Sequence, residues 1–237
     1  MTGELAAGQL TKLSSGLHPV TGDRLRETAG VKAEKAIGAF DFTFSCAKSV
    51  SLLSSSGDRE LSSRILDAQP RAVESSLRVL ESEAAFVRRR KGGHVREHAK
   101  IIVSRFDHRT SRLCDPQLHE HDIVVNTALG PDGRWTALDW VRVRDFKLAL
   151  GAIHEAEIRA NLSEGPPLEA LDSKGLSELD CVDKGTLRDF SKRRQQLERD
   201  VRGSVENPAA MAGAAVRTRQ AKREVGRSSR RSPGRSA

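Results

Sequence analysis

The chain has 237 residues, 37% of them apolar, with 19 glycines; that composition excludes a wholly disordered polymer. Its 40 Lys and Arg against 32 Asp and Glu leave a formal charge of +8, but residues 217–237 hold eight basic residues against one acidic, so the first 216 are close to neutral. No run approaches the ~18 apolar residues of a membrane span, and no basic-then-apolar signal layout opens the chain, so a cytoplasmic location without membrane contact is expected. Three scattered cysteines (Cys46, Cys114, Cys181) form neither a disulfide framework nor a CxxC metal site. There is no tyrosine, which excludes a tyrosine nucleophile supplied by these residues.

In chain order, residues 1–25 carry a short apolar pattern (Leu5, Leu10, Leu13), followed by a turn marked by Pro19 and Gly22. Residues 39–46, AFDFTFSC, alternate with period two, which predicts a strand with Phe40, Phe42 and Phe44 on a buried face and Asp41 and Thr43 projecting together from the other. Residues 59–90 have helical spacing; Pro70 is expected to start a new helix or kink a continuous one, and the basic run with Gly92-Gly93 to end it. Strands are predicted at 99–106 and 121–128. GPDG (130–133) is a turn from which 134–139 returns as a hairpin strand. Residues 141–162 and 184–201 read as helices, separated by GPP at 165–167. The hairpin argues for an α+β fold with a mainly antiparallel sheet flanked by helices rather than a purely parallel one. The Ser-, Gly- and Arg-rich end has no apolar period and reads as a disordered tail, either a phosphate-binding arm or simply solvated. The expected division is a domain at 1–212 and a basic tail at 213–237.

Three of the seven histidines fall within fourteen residues: His108, His119 and His121. In an extended strand i and i+2 face the same way, so His119 and His121 would stand side by side. His108 ends the preceding predicted strand, and the ten residues RTSRLCDPQL can bring it back alongside. Three converging imidazoles form an open facial site for a divalent metal; Zn, Mn, Ni or Cu suit imidazole, and contact with phosphate also suits Mg or Mn. The alternative is a solvated H-x-H pair at a strand edge. Lys48 could contact a phosphate or be solvated. Arg112 could fork onto a phosphate or bridge to Asp115 or Asp107. Asp115-Pro116 opens a turn. Trp135 and Trp140 could stack on bases, but an amphipathic hairpin favours them as core.

FDFTFSCAKSVSLL resembles the DLTFSAPKSVSLL motif of the MobF class of conjugative relaxases, the TrwC/TraI type within the HUH endonucleases. RFDHRTSRLCDPQLHEHDIVVNTALGPDGRWTALD is similar to the same family's FRHxTSRxxDPQLHTHxVVxN…DGxWxALD block. GLHPVTGDRL, GAIHEAEIRANL, TLRDFSKRRQQLE and AAVRTRQAK resemble further segments in family order, so the likeness covers most of residues 3–224. It implies a relaxase-type α+β fold. It implies that a divalent metal cation held by His108, His119 and His121 grips the scissile phosphate of single-stranded transfer-origin DNA, with Asp41 as the acid that orients a ligand or accepts the nucleophile's proton. Thr43, Lys48, Ser49 and Arg112 become the candidate DNA contacts, and other conjugation proteins become possible partners.

The departures are specific. Ala47 replaces the motif proline, Glu120 stands where LHTH has threonine, His154 aligns with a family tyrosine, and Pro70 interrupts a family helix. The family's catalytic tyrosines lie ahead of the segment that MTGELAAGQL matches, which implies that the first strand and the nucleophile are missing. The expected function is therefore a relaxase-like domain for site-specific nicking that lacks the nicking tyrosine. Its rivals are an inactive DNA-binding remnant or regulator, and a metal-dependent nuclease using water with Asp41 or Glu120 as base.

Overall fold

The structure, a computed structural model, describes residues 6, 8–26, 36–90, 92–162, 178–202 and 204–219. The chain divides into two compact units, Met1–Arg109 with Gln117–Asp183, and Thr110–Pro116 with Lys184–Ala237. The expected boundary at residue 212 falls inside a helix of the second unit, and most of the expected basic tail lies outside the described residues.

The first unit opens with a short helix α1 (Gln9–Ser14), then strand β1 (Ala39–Ser45), whose burial alternates as the sequence predicts. Phe40, Phe42 and Phe44 are buried, each contributing about 1.5–3 kcal/mol of apolar burial, while Asp41 and Thr43 are exposed. Helix α2 (Lys48–Leu53) leads to α3 (Arg59–Val79), capped by Asp58, whose carboxylate accepts the Leu61 N–H at 3.0 Å. Pro70 neither breaks nor restarts α3, and the helix runs through it. Ile65, Ala68, Ala72 and Val73, all fully buried, hold that stretch in the core, and this packing outweighs the one missing N–H.

Past α3 the structure departs from the expected helix. A π-helical turn (Leu80–Ala84) leads into strand β2 (Phe86–Arg89), which pairs antiparallel with β3 (Val95–His98). Arg88 and Arg89 thus lie in a strand, and Arg90, Gly92 and Gly93 follow it at φ of 66°, 85° and 67°. Two of these three left-handed positions are glycine, the residue that adopts them without strain.

Strand β4 (Val103–Thr110) lies four residues later than predicted, and strand β5 (Pro116–Val125) starts five residues earlier and runs longer. The ten-residue connection shrinks to a five-residue turn closed by the Ser111 N–H donating to the Asp115 carbonyl (2.8 Å). The sheet order is β1-β5-β4, with β1 and β5 antiparallel. The predicted hairpin is present but short, as β6 (Ala128–Leu129) and β7 (Trp135–Thr136), and it forms its own two-stranded sheet. Residues 140–162 make two helices, α4 (Trp140–Asp145) and α5 (Lys147–Leu162). Neither tryptophan is buried core: Trp135 is half-buried, and Trp140 stacks on Phe40 at 4.2 Å with one side open.

The fold is α+β. Helices α3 and α5 pack on the phenylalanine face of β1, where Val73, Leu77 and Leu150 join the Phe40–Phe42–Phe44 cluster. The opposite face of the sheet carries the histidines. In the second unit, helices α6 (Lys184–Asp189) and α7 (Lys192–Asp200) replace the single predicted helix, and α8 (Pro208–Arg217) follows beyond it. Asp115 anchors α7 by accepting the Lys192 N–H (2.8 Å) and pairing with its ammonium (3.4 Å), so the Asp-Pro turn does hold structure. No helix among the described residues is long and apolar enough to cross a membrane.

Candidate metal and phosphate site

The antiparallel register sets Thr43 opposite His121 and Ser45 opposite His119. With period two, Asp41, Thr43, His119 and His121 share one face of the β1–β5 ladder. From β4, His108 comes onto the same face. The ring centroids of His108, His119 and His121 are 5.2, 5.3 and 5.4 Å apart, a nearly equilateral triangle. An ion bonded to imidazole nitrogens at about 2.1 Å in tetrahedral geometry sets ring centres about 5 Å apart, so the spacing of the three rings fits one ion. The side chains do not already form a closed shell: among the described residues no group of three His, Cys, Asp or Glu is arranged as a metal site.

The hydrogen bonds select the tautomers. His121 Nδ1 lies 2.9 and 3.1 Å from the two Asp41 carboxylate oxygens and 3.1 Å from the Thr43 hydroxyl. A carboxylate only accepts, so this nitrogen carries the proton, and the Thr43 hydroxyl in turn donates to Asp41 (3.4 Å). His119 Nδ1 donates to the Gln117 carbonyl at 2.9 Å. In both rings Nε2 is thus the basic nitrogen, the state that a metal-ligating histidine with a carboxylate or carbonyl behind it adopts.

The other candidates separate. Lys48 is half-buried at the start of α2, and its backbone N–H donates to Glu178 Oε1 (3.2 Å). Ser49 is not a DNA contact: it is fully buried, its N–H donates to Glu178 Oε2 (2.7 Å) and its hydroxyl accepts the Leu179 N–H (2.7 Å). Arg112 sits in the Ser111–Asp115 turn, which belongs to the second unit.

Glu120 and Asp122 point the opposite way, which removes Glu120 as a base beside the histidines. They face Phe44 and Phe42 in the register and are buried against Arg105, which pairs with Glu120 and lies 3.5 Å from Asp122. Arg105 also reaches Glu74 (3.3 Å) and the Pro70 carbonyl (3.1 Å). Burial, then the neighbouring Glu120 charge, pushes Asp122 up to about 8, and burial raises Glu120 as well. Parity in His119-Glu120-His121-Asp122 already puts both acids on the core face, a signal that the reading of Glu120 as a base leaves out. His154 lies apart on α5, buried, with Nε2 2.9 Å from Gln69 Oε1; burial lowers it to about 4.

The family model for the TrwC relaxase matches residues 1–232. The chain belongs to the TrwC relaxase family. Among curated relatives it is 29% identical to the multifunctional conjugation protein TraI of Escherichia coli and 27% identical to that of strain K12, in each case over 95% of this chain but 13% of the relative. It therefore spans about an eighth of those relatives' length. Among solved structures it resembles the copper-bound complex of the conjugative relaxase TrwC with OriT DNA (30% identity, TM-score 0.81, 95% of this chain and 78% of that one). It is equally similar to TrwC complexed with a 27-mer DNA comprising the recognition hairpin and the cleavage site (30%, 0.81, 95% and 81%).

Proposed function

We propose that this chain is a relaxase-type domain that binds single-stranded transfer-origin DNA in the cytoplasm and positions a scissile phosphodiester at a divalent-cation site. The observation that carries this reading is the triangle of His108, His119 and His121 with Asp41 behind His121. The likeness to metal-bound and DNA-bound TrwC supports it. His108, His119 and His121 would hold the cation; when bound, the cation supplies polarisation of a phosphoryl oxygen and neutralises developing charge. Asp41 holds the Nδ1 proton of His121 and so fixes that ring's tautomer, Thr43 steadies the carboxylate, and the Gln117 carbonyl does the same for His119. Among the DNA contacts that the family resemblance implies, Thr43 is on the site's face, and Lys48 and Arg112 are phosphate partners to be tested.

The test pairs two readouts. Manganese titration by competition with a chromophoric chelator should show a site that His119→Ala/His121→Ala loses, and a single-stranded oligonucleotide with a transfer-origin hairpin should bind the native chain. Equal ion affinity in the double variant would end the reading. Asp41→Ala should weaken the ion about 10–100-fold, the usual cost of losing a ligand's hydrogen-bond partner. The lack of tyrosine in these 237 residues favours a second reading, binding without turnover. Incubation with the oligonucleotide and the ion then yields neither cleavage nor adduct, whereas cleavage without adduct would indicate water as nucleophile.

A further inference from the structure

A cavity of about 540 Å³ lies between α1 and the hairpin that follows it, lined among others by Thr11, Ser14, Ser15, Arg24 and Arg26. The hairpin is held by the Leu17–Arg24 bridge and by the Leu25 and Arg26 N–H groups, which both donate to the Gly16 carbonyl (2.9 and 3.1 Å). Gly16 takes φ 76°, and a Cβ there would sit 3.4 Å from Arg26. This turn delivers Arg24 and Arg26, two residues apart, to the cavity.

Arg26 is 7% exposed, yet among the described residues it has no carboxylate partner; its Nε donates to the Thr127 hydroxyl at 3.1 Å. Arg24 has no ion pair among them either. Leaving a charge buried and uncompensated costs several kcal/mol, and burial alone lowers the guanidinium's proton affinity here. Almost every other buried charge in the unit has its opposite: Asp139 has Arg88 and Arg96, and Glu120 has Arg105. A planar fork, a second arginine and three hydroxyls around a cavity are the chemistry that receives a phosphate group.

We propose that this cavity is a second anion site, in which Arg26 and Arg24 take a phosphate group. The assignment of that phosphate to the DNA backbone rests on the function proposed above; the site itself does not. Thr127 lies six residues beyond His121 in the chain and just past the end of β5, about 20 Å on at strand rise. A strand gripped at the histidines would then be held a second time a few nucleotides away.

Arg24→Ala, at an exposed side chain, and Arg26→Gln, which keeps a donor for Thr127 and removes the buried charge, test the site. For each, the slope of log affinity for a single-stranded oligonucleotide against log salt should flatten by about 0.7, the value of one phosphate contact. Inorganic phosphate should raise the native chain's melting temperature above that in chloride of equal ionic strength, and both variants should lose that rise while ion binding at the histidines stays intact. If the phosphate effect is present and lost in the variants while the native chain binds no oligonucleotide, the cavity takes free phosphate and the DNA reading is what fails. If neither the salt slope nor the phosphate effect responds to either variant, the cavity proposal is overturned and the DNA reading is judged at the histidines alone.

Discussion

Arg105→Ala is expected to lower the unfolding free energy by about 3 kcal/mol at pH 8, measured by urea denaturation. Glu120 and Asp122 are 1% and 0% exposed, and Arg105 is the cation that the structure places against both. Removing one partner of a buried pair costs about 3–5 kcal/mol, because the remaining charge stays in low dielectric. The low end applies because Arg105 itself is 32% exposed. Its guanidinium also donates to the Pro70 carbonyl, so the loss reaches the stretch of α3 where proline has already removed an N–H. At pH 5 the defect should shrink, since the Asp122 carboxyl, raised to about 8, is protonated there and needs no counter-charge. Arg105→Lys keeps charge but not the fork and should fall between. The effect carries to function: Glu120 and Asp122 flank His121 in β5, so a loosened reverse face should also weaken the ion site. A variant as stable as the native chain at both pH values would remove the clamp.

How much of this was readable beforehand depends on range along the chain. The strand AFDFTFSC needs only its own alternation, so β1 and the shared face of Asp41 and Thr43 follow from eight residues. The side-by-side placement of His119 and His121 follows from the same rule, and parity applied to His119-Glu120-His121-Asp122 would also have put the acids in the core. What local pattern cannot carry is competition between levels. Arg88-Arg89-Arg90-Lys91-Gly92-Gly93 suits a helix end equally well as a hairpin turn, and the choice is made by Phe86 and Val87 pairing with His98 and Glu97. Pro70 argued for a break that the packing of Ile65, Ala72 and Val73 overrides. Ser49 is a candidate DNA contact by the resemblance, yet its hydroxyl accepts the Leu179 N–H, 130 residues away. The link from Arg26 to Thr127 spans 101 residues and has no sequence signature. The α+β class follows from the hairpin signal at GPDG, and the family resemblance adds the relaxase type.

The second large effect is on the pH dependence of stability, where two buried groups act in opposite directions. Asp122 is raised to about 8 in the folded chain, so between about pH 4, where the unfolded carboxyl titrates, and pH 8 the native state holds one more proton than the unfolded state. Its contribution is full below pH 4 and is lost as pH rises through 8, at about 1.4 kcal/mol per pH unit. His154 is lowered to about 4 from an ordinary value near 6.5 by burial, so its contribution is full above 6.5 and is lost as pH falls through 4. From pH 4 to 6.5 the two slopes oppose each other, and from 6.5 to 8 only Asp122 remains. In chelator-treated buffer, the stability of Asp122→Asn minus that of the native chain should climb steadily from pH 4 to 8. The same difference for His154→Gln should be flat above 6.5 and climb as the solution is acidified. Asparagine reproduces the neutral carboxyl's shape, and glutamine keeps a donor for Gln69, so each difference curve reads titration rather than packing. Difference curves that stay level across both windows would mean that these groups are hydrated in solution, and the buried carboxyl pair beneath the histidine strand would have to be discarded.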